Sequence, residues 1–167
     1  MRGGVERDNI PSAPMRTLEL KIPPMLVAAI ATGVIWLVAR AAPVLSLEFP
    51  LRGVLAAELA PAGITVAVAG VVSFRRASTT VNPLNAAAAS ALVVSGIFRV
   101  TRNPMHLGVL VCLLGWVVWL GSVPALFVLP LFVAHLNRFQ IIPEEAALRA
   151  RFGAEFDAYR SRVRRWI

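Results

Sequence analysis

The chain has 167 residues, a formal net charge of +8 and 57% hydrophobic residues, with a mean hydropathy of +0.71. That composition is too apolar for an ordinary soluble domain, and apolar runs of near bilayer-crossing length make it one compact integral membrane unit. The arginines cluster beside the apolar runs, where a bilayer surface accounts for them better than nucleic acid does, so no nucleic-acid partner is expected. Cys112 is the only cysteine, which excludes an internal disulfide and a multi-cysteine metal site and leaves it as a packing residue.

Residues 1–21 are polar and mixed in charge and read as an N-terminal arm, mobile or lying on the surface. The apolar run that follows lacks a signal-peptide cleavage site, so it is an uncleaved first span over about residues 22–39, ending at Arg40. A short connection leads to a second span, about 51–74, which Pro61 and Gly63 are expected to bend. Glu58 lies inside that span. An ionisable group there is a functional candidate by default, with an interfacial position against a neighbouring helix as the equal alternative.

Residues 75–83 read as an interfacial loop and the alanine-rich stretch 85–90 as a short surface helix. Residues 92–98 bring the chain back as a non-spanning apolar segment, in which Gly96 permits a tight turn or a close backbone approach to a ligand. An ordinary loop glycine is the other reading. A third span, about 104–120, and a fourth, about 123–142, are joined only by Gly121-Ser122 and must form an antiparallel hairpin. Gly108, Cys112 and Gly115 share one face of the third span, so a neighbouring helix approaches closely there.

Arg75, Arg76, Arg99 and Arg102 flank the second-to-third connection, and seven arginines lie between Arg138 and Arg165. The positive-inside rule therefore places both termini and the long middle connection in the cytoplasm. In the tail, 143–167, Leu148, Phe152, Phe156, Tyr159 and Val163 follow helical spacing, which predicts an amphipathic helix on the bilayer surface or over the cytoplasmic mouth of the bundle. The predicted fold is thus all-α, an integral membrane bundle of about four transmembrane helices with a C-terminal amphipathic cytoplasmic helix.

The stretch from Arg99 to Gly108 concentrates the chemistry, with Arg102, Asn103, Pro104 and His106 at a membrane surface. Asn103 and Pro104 also make an ordinary helix start, and the arginines an ordinary cytoplasmic boundary. Folding the hairpin about its turn at ~1.5 Å per residue brings His106 level with roughly Asn137 and His135 level with roughly Gly108. Glu144 and Glu145 follow within two turns. Polar groups at such depth are costly unless paired or lining a wet cavity, and their convergence points to a site. Each also has a plainer reading: the glutamates suit the first turn of a helix after Pro143, and His135 suits a satisfied bundle histidine. The two histidines lack a third ligand at suitable spacing, so no metal site is predicted.

From about Phe74 onward the chain resembles the isoprenylcysteine carboxyl methyltransferase and phospholipid methyltransferase group of integral membrane enzymes. The resemblance rests on Thr79-Thr80 with Pro83, Leu92-Val93 through Gly96, and Arg99-x-x-Arg102-Asn103-Pro104-Met105-His106-Leu107-Gly108. It continues with Glu144-Glu145-x-x-Leu148, Phe152-Gly153, Tyr159 and Arg164-Arg165-Trp166, and covers a little over half of the chain. It implies a cytoplasm-facing pocket for S-adenosylmethionine that uses Gly96, Arg102, Asn103, Pro104, His106, Gly108, Glu144 and Glu145, completed by the tail. The hairpin depths add His135 and Asn137 to the cofactor-binding set and make His106, Arg102 and His135 the catalytic candidates. At His106 the sequence departs from the group, where a tyrosine is usual.

The residue chemistry suits that cofactor: carboxylates pair with its ammonium or ribose hydroxyls, and an arginine holds its carboxylate bidentately. A histidine takes a proton from a hydroxyl, amine or thiol acceptor, whereas a carboxylate acceptor needs no base. The expected partners are a lipophilic or small-molecule methyl acceptor and membrane lipid. The rival readings are a small proton-coupled multidrug-type transporter using Glu58, a sterol-reductase-like membrane enzyme binding NADPH, and a scaffold without catalysis.

Overall fold

The computed structural model describes residues 23–77 and 91–167. The N-terminal arm, the Thr79-Thr80 and Pro83 positions and the alanine-rich 85–90 stretch lie outside the described residues. The helices are α1 (Pro24–Ala41), α2 (Arg52–Arg76), α3 (Pro104–Leu120), α4 (Val128–Leu136), α5 (Ile142–Phe152) and α6 (Ala154–Arg162). A π-helical turn, Asn137–Ile141, joins α4 to α5 without a break. Among the described residues there is no strand beyond a single antiparallel bridge between Ser46 and Ser122.

Three stretches, Pro24–Ala41, Arg52–Arg76 and Pro124–Phe152, are long and apolar enough to cross a bilayer. The 17-residue α3 is apolar apart from His106 in its first turn and covers ~25 Å at ~1.5 Å per residue. Large side chains on the outer faces, such as Met25, Ile30 and Leu37 of α1 and Ile64 and Val68 of α2, are exposed, the pattern of helices solvated by lipid.

Helices α2 and α3 form the tightest contact, because glycines face each other across it. A Cβ on Gly63 would lie 2.5 Å from the Gly108 carbonyl oxygen and 2.6 Å from Cys112 Sγ, and one on Gly115 would lie 3.1 Å from Leu59 Cβ. The expected small-residue face of α3 is this contact. Pro61 sits inside α2 without interrupting it.

At one end of the bundle the two short connections are bonded together. Leu47 N donates to Gly121 O at 2.7 Å and Val123 N donates to Leu45 O at 3.2 Å. Gly121 ends α3 with a φ of 66°, the left-handed cap that glycine favours. The starts of α1 and α3 and the end of α2 therefore gather at the opposite end, where the chain beyond α4 also arrives.

The structure corrects the reading of residues 143–167 as one helix. The fourth helical stretch runs on through Pro143 to Phe152, and the break falls at Gly153, whose φ of 51° and ψ of −122° suit glycine alone. α6 then turns back, and residues 163–167 are no longer helical. The apolar face of the tail meets protein: Phe156 and Tyr159 are buried with Val93 and Phe98. Of the two placements the amphipathic pattern allowed, this is the one over the mouth of the bundle.

Candidate functional site

At the end opposite the bonded connections lies a cavity of about 290 Å³, at the small end of ligand pockets, which run from ~300 to ~1,000 Å³. Its lining includes apolar residues, with Pro24, Met25, Val93, Phe98, Val109 and Phe156 among them, and the polar residues Arg102, Asn103, His106, Glu144, Glu145 and Tyr159. Most of these polar groups come from two places, the start of α3 and the turn that opens α5. The tail supplies Tyr159.

The start of α3 is fixed by the chain terminus. Thr101 Oγ1 and Asn103 Nδ2 both donate to the Arg165 carbonyl oxygen, at 3.3 and 3.0 Å, and Arg102 N donates to the Arg164 carbonyl oxygen at 3.1 Å. Asn103 thus spends its side chain on the tail and does not cap its own helix. Tyr159 Oη donates to the Phe98 carbonyl oxygen at 2.8 Å, and burial pushes the phenol pKa up against the opposing charge of Arg102.

The two glutamates have different surroundings. Glu145 receives Arg165 at 3.1 and 2.6 Å and lies 2.8 Å from Arg102 Nη1. One carboxylate therefore serves two guanidinium groups, leaving net positive charge. Glu144 makes no hydrogen bond or ion pair among the described residues, yet it lines the cavity. Burial lowers the Arg102 pKa, Glu145 opposes that shift and Arg165 adds to it; a guanidinium remains charged throughout. Although Arg102 Nη1 is close to Glu145, the approach is poorly aligned: its Nε and Nη1 are buried without a hydrogen bond among the described residues. Two donor directions of a buried arginine are thus without a hydrogen bond in a cavity that Glu144 also lines.

Of the residues the sequence singled out, Arg102, Asn103, Pro104, His106, Glu144 and Glu145 line this one cavity. Four others lie elsewhere. Gly108 is packed against Gly63 and Ala67, and Gly96, with a φ of 61°, has room for no Cβ because Ser73 Oγ would be 2.8 Å away. His135 stacks near Phe139 with ring centroids 4.9 Å apart, and Asn137 Oδ1 accepts from Trp166 Nε1 at 3.1 Å. Glu58 is on the exposed face of α2, outside the cavity.

The sequence reading missed Gln140. It is 3% exposed and lies in the π-helical turn. The available signal was Pro143. A proline inside a continuous helix clashes with the carbonyl four residues before it, here Phe139, and a widened turn at that place relieves the clash.

Residues 51–155 match the phospholipid methyltransferase family. An uncharacterized protein of Haemophilus influenzae is 41% identical over 63 residues, covering 38% of this chain and all of that protein. No solved structure matches. The family match covers more than half of the sequence and includes both sources of the polar cavity lining, Arg102–His106 and Glu144–Glu145. The chain belongs to the phospholipid methyltransferase family of membrane methyltransferases.

Proposed function

We propose that this protein transfers a methyl group from S-adenosylmethionine to a lipophilic or small membrane-partitioned acceptor. The observation that carries the reading is one cavity whose lining combines Arg102, Glu144 and His106 with apolar residues from α1, α3 and the 91–98 segment.

The residues fit the cofactor. The buried Nε of Arg102, which has no hydrogen bond among the described residues, suits a carboxylate oxygen. Glu144 suits an ammonium or a pair of ribose hydroxyls. When bound, S-adenosylmethionine supplies an electrophilic methyl group on a sulfonium. The chain's own contribution is to hold the acceptor in line with that methyl and to keep water away from it. Phe98, Phe156 and Val93 make the dry wall for this, and Tyr159 and Arg165 hold the tail over it. Glu145, occupied by two arginines, supports Arg102 from behind. With the arginine-rich end in the cytoplasm, the acceptor enters from the inner leaflet past Pro24 and Met25.

Glu58, exposed and remote from the cavity, offers nothing to the transporter reading. Calorimetric titration of the purified protein in detergent tests the proposal. Saturable binding of S-adenosylmethionine without binding of NADPH is expected, and binding of NADPH alone would overturn it in favour of a reductase.

A further inference from the structure

Four aromatic residues, Phe74, Phe98, Phe156 and Tyr159, line the cavity, and all four belong to one packed cluster. They come from three parts of the chain: the end of α2, the turn before α3, and α6. Phe98, Phe156 and Tyr159 are buried, and Phe74 is half-buried. Phe74 and Phe98 meet edge to face, with ring centroids 5.1 Å apart and planes at 82°, which engages one of the four faces the two rings own. The bond from Tyr159 Oη to the Phe98 carbonyl oxygen, at 2.8 Å, ties α6 to the same turn. Three arginines do stand over aromatic rings, but over Trp36, Phe139 and Phe152, none of which lines the cavity.

S-adenosylmethionine carries three charges, and the lining offers partners of the ordinary kind for two of them. Arg102 suits the carboxylate. Of the two acids in the described lining, Glu145 already serves Arg102 and Arg165, and Glu144 is assigned above to the ammonium or the ribose. The sulfonium is left without a carboxylate of its own. A cation within ~6 Å of an aromatic face is attracted by the ring quadrupole, most strongly where both are out of water. We propose that Phe74, Phe98, Phe156 and Tyr159 seat the sulfonium by cation–π attraction, so that the site distinguishes the charged cofactor from its neutral product. This rests on the methyl-transfer reading above. When the acceptor heteroatom bonds to the methyl carbon, the electron pair of the broken carbon–sulfur bond stays on sulfur. The sulfur is then neutral, the attraction to the rings is lost, and the product is held less tightly than the cofactor it came from.

Calorimetry in detergent should show the wild type binding S-adenosylmethionine roughly three- to thirtyfold more tightly than S-adenosylhomocysteine, the span of a cation–π contact. Phe156→Leu keeps apolar bulk and removes one ring. It should weaken the cofactor more than the product and narrow that ratio by about threefold. Should Phe156→Leu fail to fold, Phe74→Leu, at a half-buried position, carries the same test. Phe74→Tyr, which keeps a ring, should hold the wild-type ratio. A role in packing alone would weaken both ligands alike and leave the ratio in place. Equal affinities in the wild type, or a ratio unchanged in the leucine variants, would overturn the inference. So would a ratio that collapses in Glu144→Gln instead, which would assign the sulfonium to that carboxylate. A wild-type protein that binds neither ligand would sink the methyl-transfer reading itself.

Discussion

Arg165 closes on Glu145 through two near-parallel contacts, Nε to Oε1 at 3.1 Å and Nη2 to Oε2 at 2.6 Å. Residue 165 is thereby strapped to the opening turn of α5, and through Glu145 to Arg102 at the start of α3. Glu145→Gln leaves two partly buried guanidinium groups facing each other, whereas Arg165→Ala leaves a carboxylate that still has Arg102. Removing one partner of a buried pair costs up to ~3–5 kcal/mol, less where a partner reaches solvent. With the Arg165 side chain 33% exposed against 13% for Glu145, Glu145→Gln should lower the unfolding midpoint in detergent more than Arg165→Ala. The opposite order would show that the strap carries no load.

Cofactor affinity should separate the two glutamates. Arg102→Ala should weaken S-adenosylmethionine binding by roughly 1.5–3 kcal/mol, the range for a hydrogen bond to a charged group. Glu144→Gln should do likewise, because that carboxylate has no internal partner among the described residues. Glu145→Gln acts through Arg102, so its effect and that of Arg102→Ala should be non-additive in a double-mutant cycle. Glu58→Gln should leave the affinity unchanged. Wild-type affinity in both Arg102→Ala and Glu144→Gln, measured by calorimetry on folded protein, would remove the cavity as the cofactor site.

Much of this cavity's lining was legible in the sequence alone. Apolar runs of spanning length gave the helices, and the Arg102–His106 and Glu144–Glu145 elements meet in one cavity. The hairpin register set His106 level with Asn137, whose side chain instead accepts from Trp166 Nε1. Periodicity does not record that partner. Gly96 and Gly108 stood in the right motifs, but their small size serves helix contacts with α2. A sequence records that a glycine is needed, without recording which neighbour needs the space. The difference between Glu144 and Glu145 was equally hidden, because it depends on Arg165 returning from twenty residues away.

Deleting residues 152–167 should abolish S-adenosylmethionine binding while leaving the spans inserted. The deletion removes Phe156 and Tyr159 from the cavity wall and releases the hydrogen bonds from Thr101 and Asn103 to Arg165. The helical stretch that remains is still long and apolar. Membrane insertion is checked by carbonate extraction and binding by calorimetry. Unchanged affinity in the inserted, truncated protein would rule out a closing role for the tail.

The glycine contact between α2 and α3 makes a graded prediction about what holds the cavity's shape. A Cβ at Gly63 meets the Gly108 carbonyl and Cys112 Sγ, and the neighbour at the first of these is backbone that cannot rotate away. A Cβ at Gly70 meets Pro104 Cγ at 3.0 Å and Met105 Cγ at 3.1 Å, close to the cavity lining but partly against flexible side chain. A Cβ at Gly33 of α1 meets nothing within 4 Å. Overpacking a close contact costs ~1–3 kcal/mol, whereas an alanine in an open helical position gains up to ~1 kcal/mol over glycine. The unfolding midpoint should therefore fall most for Gly63→Ala, less for Gly70→Ala, and stay level or rise for Gly33→Ala. Gly70→Ala should nonetheless weaken cofactor binding, because it displaces Pro104 and Met105 at the cavity wall, and Gly33→Ala should not. Equal stability across the three variants would mean that α2 and α3 slide freely, and the fixed spacing that sets Gly70 against Pro104 and Met105 would no longer explain the cavity.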